Sequence, residues 1–130
     1  YRVIEAAGGL KEGCEKVISG GPMMGFAMYT TDTPITKTSS SILCMSKDEV
    51  SACEPTACIN CGRCVDACPS IIPSRLADFA ERHDEEAFLK FNGLECVECG
   101  SCSYVCPAKR QLKQAIGSMR KTALANKKKK

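Results

Sequence analysis

Two stretches decide the fold: CINCGRCVDACP at residues 58–69 and CVECGSCSYVCP at residues 96–107. Each has the form C-x2-C-x2-C-x3-C-P, with a glycine directly after the second cysteine. A structural zinc site usually takes two pairs of ligands from separate places in the chain. Three cysteines at successive x2 spacing instead suit three corners of one cubane iron–sulfur cluster. The doubled motif therefore predicts two [4Fe-4S] clusters.

The fourth cysteine of each motif has a separate role in this pattern. Where two such motifs occur together, the fourth thiolate of each cluster comes from the other motif. The first predicted ligand set is Cys58, Cys61, Cys64 and Cys106. The second predicted ligand set is Cys96, Cys99, Cys102 and Cys68. Such sharing holds the clusters close enough for electron transfer and makes folding depend on the metal. Pro69 and Pro107, which follow the shared cysteines, are predicted to start helices.

The remaining cysteine content argues against a disulfide framework. The chain of 130 residues has 11 cysteines, an odd number. It opens with YRVIE, without the basic region and apolar run of a signal peptide. Close C-x-x-C spacing without an export signal predicts metal binding in a reducing compartment. Cys14, Cys44 and Cys53 lie outside the motifs and are predicted to be small apolar residues with no ligand role.

The segment between the motifs has helical character. Residues 73–93 are rich in Ala, Leu, Glu and Arg and predict two short helices joined near His83. Asp84 is the predicted N-cap of the second helix, and Asn92-Gly93 its C-terminal end. A helical link favours an α-helical ferredoxin over the small α+β type. His83, the only histidine, is predicted to sit at a helix end and not to bind metal.

The first 45 residues have a different composition. They predict, in order, a helix in RVIEAAGGL (2–10), a strand in KVISGG (16–21) and a strand in PITKTSSSILCM (34–45). GGPMMG (20–25) is interpreted as a tight turn, because it lacks the sequence of a phosphate-binding loop. SKDE (46–49) predicts a capping box that opens a helix running to about Cys53. The chain is therefore expected to be α+β, with domains at 1–45, 46–108 and 109–130.

Charge is divided unevenly along the chain. Residues 1–108 carry 9 Lys and Arg against 15 Asp and Glu, whereas residues 109–130 carry 9 Lys and Arg and no acid. Leu112, Ala115, Ile116 and Met119 predict an amphipathic helix in this basic segment, which ends in four lysines. Three interpretations remain open: a solvated terminus, an acidic protein partner or an anionic membrane surface. Nucleic acid is disfavoured, because no aromatic residues are interleaved with the lysines.

Four stretches together resemble one family: VIEAAGGL (3–10), VISGGPMMG (17–25), TPITKTSSSILCM (33–45) and GLECVECGSCSYVCP (93–107). The chain resembles the C-terminal part of the RnfC (RsxC) family, a component of the Rnf complex, which is a membrane-associated ferredoxin:NAD oxidoreductase. The resemblance implies a partial ligand-binding β-grasp (SLBB) segment followed by a mainly α-helical two-cluster ferredoxin domain. It also implies that FMN and NADH bind an upstream portion that this chain lacks.

The same resemblance implies a peripheral place on the cytoplasmic face of the cell membrane. The expected partners are the other subunits of an electron-transport complex, with a ferredoxin or flavoprotein subunit exchanging electrons. The chain is expected to relay electrons for ion transport without a complete active site of its own. Acidic residues near the motifs, Asp66, Glu95 and Glu98, predict clusters of low potential.

Two alternatives stay open at this point. One is an iron–sulfur relay of a related flavoenzyme, such as a cobalamin reductase or a heterodisulfide-reductase-like system. The other is a structural zinc-binding module that uses the basic tail to hold a partner.

Overall fold

The computed structural model describes residues 2–49 and 52–129 of the chain. They divide into two compact units, Tyr1–Cys53 and Glu54–Lys130. The predicted domain boundary after residue 45 stays a prediction. Together the described residues form a small α+β protein, with strands in the first unit and helices in both.

The first unit is built on a three-stranded antiparallel sheet. Its elements are α1 (Arg2–Ala6), β1 (Lys16–Ser19), β2 (Phe26–Ala27) and β3 (Ile42–Met45). The strand order is β2-β1-β3, with Ile18 paired to Ala27 on one side and to Leu43 on the other. The predicted helix and first strand are confirmed, and the GGPMMG segment forms the turn between β1 and β2. The sequence interpretation did not include β2 as a strand.

Two predictions in this unit were wrong. The strand expected from Pro34 starts only at Ile42, because the Ser- and Thr-rich stretch before it folds into turns. There the side chains bond to local backbone, as when the Thr36 N–H donates to the Ser39 hydroxyl at 3.2 Å, and such bonds compete with a sheet ladder.

The capping box predicted at Ser46–Glu49 also fails, because residues 46–49 form a bend and a turn. The Asp48 carboxylate instead accepts from Lys16 Nζ at 2.9 Å, and the Asp48 N–H donates to the Glu15 carboxylate at 2.8 Å. These two contacts tie the segment back to the start of β1. The predicted continuation of the helix through Val50 and Ser51 lies outside the described residues.

The described residues of the second unit are helical, without strands. Its elements are α2 (Arg63–Asp66), α3 (Pro73–Glu81), α4 (Glu85–Lys90), a 3-10 turn (Gly93–Glu95), α5 (Ser101–Tyr104) and α6 (Leu112–Lys129). The two predicted helices of the linker are confirmed as α3 and α4. Asp84 caps α4 as predicted, its carboxylate accepting from the Ala87 N–H at 2.9 Å. Pro69 and Pro107 do not start helices, since α3 begins at Pro73 and α6 at Leu112.

The core of this unit lies between α3, α4 and α6. Leu76, Phe88 and Ile116 have no exposed surface, and Leu112 and Met119 are nearly as buried. This confirms the amphipathic helix predicted for the basic tail, whose apolar face packs on α3 and α4. Cys64 belongs to the same core, and several other motif cysteines pack against it: Cys68, Cys96, Cys102 and Cys106. The core therefore holds the segments that carry the two motifs.

Candidate iron–sulfur cluster sites

Four cysteines line one small cavity in the helical unit. They are Cys58, Cys61, Cys64 and Cys106, the first predicted ligand set. The cavity has a volume of about 110 Å³. Cys58 and Cys61 are exposed, Cys64 is buried and Cys106 is half-buried. The cavity therefore combines three cysteines of the first motif with the last cysteine of the second.

Backbone contacts explain why Cys106 reaches the first motif. The Thr56 N–H, just before the first motif, donates to the Ala108 carbonyl at 2.9 Å, just after the second. The short helices α2 and α5, which follow the glycines of the two motifs, also pack against each other. These contacts bring the beginning of one motif to the end of the other.

The other four cysteines form a second group. Burial raises the pKa of the Cys96 thiol, and the negative charges of Glu98, Cys68 and Cys99 raise it further, against a lowering by the Glu98 N–H. Cys68 therefore lies within electrostatic reach of the second motif. It comes from the first motif and belongs to the second predicted set.

The other two thiols of this group differ in their pKa. Burial raises the pKa of Cys102, with further contributions from Cys96 and Cys68 that outweigh the hydrogen bonds of Ser103. The pKa of Cys99 is lowered, mainly because its thiolate is stabilised by hydrogen bonds from the Ser101 side chain and backbone. Thiols with raised pKa values stay protonated until a metal displaces the proton.

The loops of the two motifs share one backbone conformation. Asn60 and Glu98, each two residues after the first cysteine of a motif, have φ of 55° and 56°. Gly62 and Gly100 follow with φ of 77° and 86° and cap α2 and α5. A Cβ at Gly62 would meet no atom within 4 Å, so the glycine is required there by its positive φ. Two similar loops thus present two similar sets of thiols.

Cys14, Cys44 and Cys53 lie in the first unit, outside both groups. His83 is at the turn between α3 and α4, with φ of 57°. Among the described residues, no three His, Cys, Asp or Glu side chains converge closely enough to hold one metal ion. Thiolates on a single zinc, each about 2.3 Å from it, must converge in this way, whereas thiolates on different irons of a cubane lie farther apart. The donors therefore fit a cluster better than a single ion.

One residue at the first site was missed from the sequence. Arg110 lines the cavity with the four cysteines, and its guanidinium bonds to Glu81 at the end of α3. Burial lowers the pKa of Arg110, but bonds and charges from Glu81 and Cys58 outweigh this and raise it. In the sequence Arg110 looked like part of the basic tail. Its place four residues after a shared cysteine, where the first repeat has Ile72 after Cys68, was the available signal.

A charged pair also lies at the second site. The Glu98 N–H donates to Cys96 Sγ at 3.4 Å, and the Glu98 carboxylate accepts from Arg120 of α6 at 3.4 Å. Arg120 is held in place by a second bond, from its Nε to the Leu94 carbonyl at 3.1 Å. Glu98 was noted in the sequence as an acidic neighbour of the motif, but its pairing with Arg120 was not predicted.

Comparison with known proteins agrees with this site. Residues 57–110 match the family described as "4Fe-4S dicluster domain". The chain is 41% identical to the RnfC-type subunit of the Na(+)-translocating ferredoxin:NAD(+) oxidoreductase complex of Acetobacterium woodii, over 98% of this chain and 29% of that protein. It is 47% identical to the corresponding subunit of the proton-translocating complex of Clostridium ljungdahlii, over 87% of this chain and 25% of the relative.

A third relative is the corresponding subunit of an ion-translocating oxidoreductase complex from Methanosarcina acetivorans, 44% identical over 88% of this chain and 26% of the relative. The chain thus spans less than a third of the length of these relatives. No helix in the described residues is both long enough and apolar enough to cross a membrane. By these matches, the chain belongs to the RnfC family, which provides one subunit of the Rnf-type ion-translocating oxidoreductase complexes.

Proposed function

We propose that this chain is an electron-transfer module that carries two [4Fe-4S] clusters. The observation that supports it most is the cavity at which Cys106 joins the three first cysteines of the other motif. One cluster would be held by Cys58, Cys61, Cys64 and Cys106. The other would be held by Cys96, Cys99, Cys102 and Cys68. When bound, the clusters supply one-electron chemistry, and the chain holds them by thiolates and excludes water on the side of the core.

The wider assembly is part of the same proposal. Relatives named as subunits of ferredoxin:NAD(+) oxidoreductase complexes support a role in an Rnf-type complex that couples electron flow to ion transport. FMN and NADH would bind the portion of the protein that this chain does not span. The partners would be the other subunits, with a ferredoxin or flavoprotein exchanging electrons, on the cytoplasmic face of the membrane. The sheet of the first unit would be part of an SLBB domain.

The first test is anaerobic purification with iron and sulfide analysis and EPR of the reduced protein. Two clusters give about eight iron and eight sulfide per chain, and two reduced clusters near each other give a broadened, interacting spectrum. Stoichiometric zinc after expression with ample iron, without an EPR signal on reduction, would contradict the proposal and leave a zinc-binding module.

A further inference from the structure

The two candidate cluster sites differ in charge at corresponding positions. The segment after the shared cysteine contributes Arg110 to the first site, where the other repeat has the neutral Ile72. The loop of the first site has the neutral Asn60, where the loop of the second site has Glu98. Both differences make the first site the more positive of the two.

The ion pairs at the two sites point in opposite senses. At the first site the cation is inside, since the Arg110 side chain is 17% exposed and lines the cavity, while its partner Glu81 is 52% exposed. At the second site the carboxylate belongs to the cysteine loop itself, with Glu98 22% exposed and Arg120 31%. Because a charge acts more strongly where it is less solvated, the inner member of each pair dominates the local field.

Backbone geometry indicates that Glu98 is not an incidental surface residue. Its φ of 56° lies in the left-handed region, which asparagine adopts more readily than glutamate. Asn60 occupies this conformation in the first loop, so a less strained residue is available for the same position. A strained residue at a candidate site is a reason to look for a functional role.

The other charged residues of the first motif do not cancel this difference. Arg63 and Asp66 are both exposed and have opposite charges. Positive charge near a cluster favours its reduced state, and negative charge favours its oxidised state. Resting on the proposed function, we infer that Arg110 and Glu98 set the order of potentials, so that the Cys58 site is the higher-potential site. An electron shared by the two sites then resides at the Cys58 site, which gains the electron that the Cys96 site loses.

The experiment is a redox titration of the iron-loaded chain followed by EPR. Arg110→Gln should lower the higher of the two potentials, and Glu98→Asn should raise the lower one. Each change should shift the equilibrium of the electron between the sites roughly tenfold, which is about 59 mV for one electron. Arg110→Lys should retain most of the wild-type value, because it retains the charge.

Glu81→Gln separates an electrostatic effect from structural damage. It leaves the Arg110 charge without its partner, so the higher potential should rise, in the opposite direction to Arg110→Gln. Arg82→Gln is the matched control, because Arg82 is exposed and pairs only along its own helix with Asp78. It should leave both potentials unchanged. If Arg110→Gln does not load iron, Glu81→Gln and Glu98→Asn still decide the question.

The inference is overturned if Arg110→Gln or Glu81→Gln shifts the lower potential, if Glu98→Asn shifts the higher one, or if none shifts either. Its failure is distinct from failure of the proposed function. A wild-type chain without about eight iron contradicts the function itself, before any variant is compared. A wild-type chain with two clusters whose potentials ignore these substitutions contradicts only the assignment of the two residues.

Discussion

At the scale of single residues, the crossed assignment of Cys68 and Cys106 is the strongest expectation. It predicts the iron content of paired substitutions. Cys58→Ser with Cys106→Ser removes two ligands of one cluster, so the double variant should keep about four iron. Cys58→Ser with Cys68→Ser removes one ligand from each cluster, so it should keep almost none. Iron analysis after anaerobic purification measures both.

The reverse result would contradict the crossed assignment. If each motif supplied all four ligands of its own cluster, Cys58→Ser with Cys68→Ser would keep four iron and the other double variant would lose both clusters. Cys53→Ser is the control, because Cys53 is exposed and lies outside both groups. It should retain the wild-type content.

Gly93 is required for a packing reason rather than for its backbone angle. A Cβ at this position would overlap the ring of the fully buried Phe88. Gly93→Ala should therefore destabilise the helical unit by about 1–3 kcal/mol, the usual cost of overpacking. The thermal midpoint of the loss of helical circular dichroism should fall by at least ~4 °C.

Gly117→Ala in α6 is the comparison for Gly93→Ala. There the added Cβ meets only the carboxyl end of Glu98, at 2.9 Å, and this flexible end can move aside while the helix gains propensity. Its midpoint should change much less. Equal losses in the two variants would contradict the packing argument.

At the scale of elements, α4 depends on its cap because it is short. It spans six residues, Glu85–Lys90, and carries Phe88 into the core. Asp84→Ala removes the acceptor for the Ala87 N–H and should cost about 1 kcal/mol, seen as a fall of roughly 4–8 °C in the thermal midpoint. Asp84→Asn keeps an acceptor oxygen and should remain near wild type. If the two variants melt together below wild type, the charge and not the cap is responsible.

The elements also show which local signals the sequence carried reliably. The cap of α4 and the apolar stripe of α6 were predictable, because each depends on residues within a few turns of one another. The helix expected at SKDE was not, because Asp48 is engaged by Lys16 from a strand 32 residues earlier. The two-residue strand β2 carries too few residues for any period, and it exists through its pairing with β1. Local pattern fails where a distant partner decides the outcome.

At the scale of the whole molecule, the grouping of the cysteines could be predicted and the charges around them could not. The spacing of Cys58, Cys61 and Cys64 limits how they can share a cluster, so a simple repeat was enough to propose the partner Cys106. Arg110 is different, since its neighbour Glu81 is 29 residues away. No period or motif links two such residues. Electrostatic tuning of a site is therefore read from the fold, whereas its ligands can be read from the chain.

The two units should respond differently to removal of iron. In the helical unit the motif cysteines are part of the core or pack against it, so ligand thiolates and core side chains hold the same segments. The sheet unit contains none of the motif cysteines and is held by its own ladders between β1 and its neighbours. Anaerobic chelation should therefore destabilise α3–α6 and leave β1 and β3 as they were.

Amide hydrogen exchange of the full chain, before and after chelation, measures this directly. Exchange should accelerate in the helices, above all at Phe88 and Ile116, which are protected by complete burial. Exchange at Val17 and Leu43 should stay within error of the iron-loaded value. Equal acceleration in both units would mean that the sheet also depends on the clusters. Unchanged exchange in the helices would mean that α3, α4 and α6 hold their packing without metal, and the motif cysteines would then add no stability to the fold.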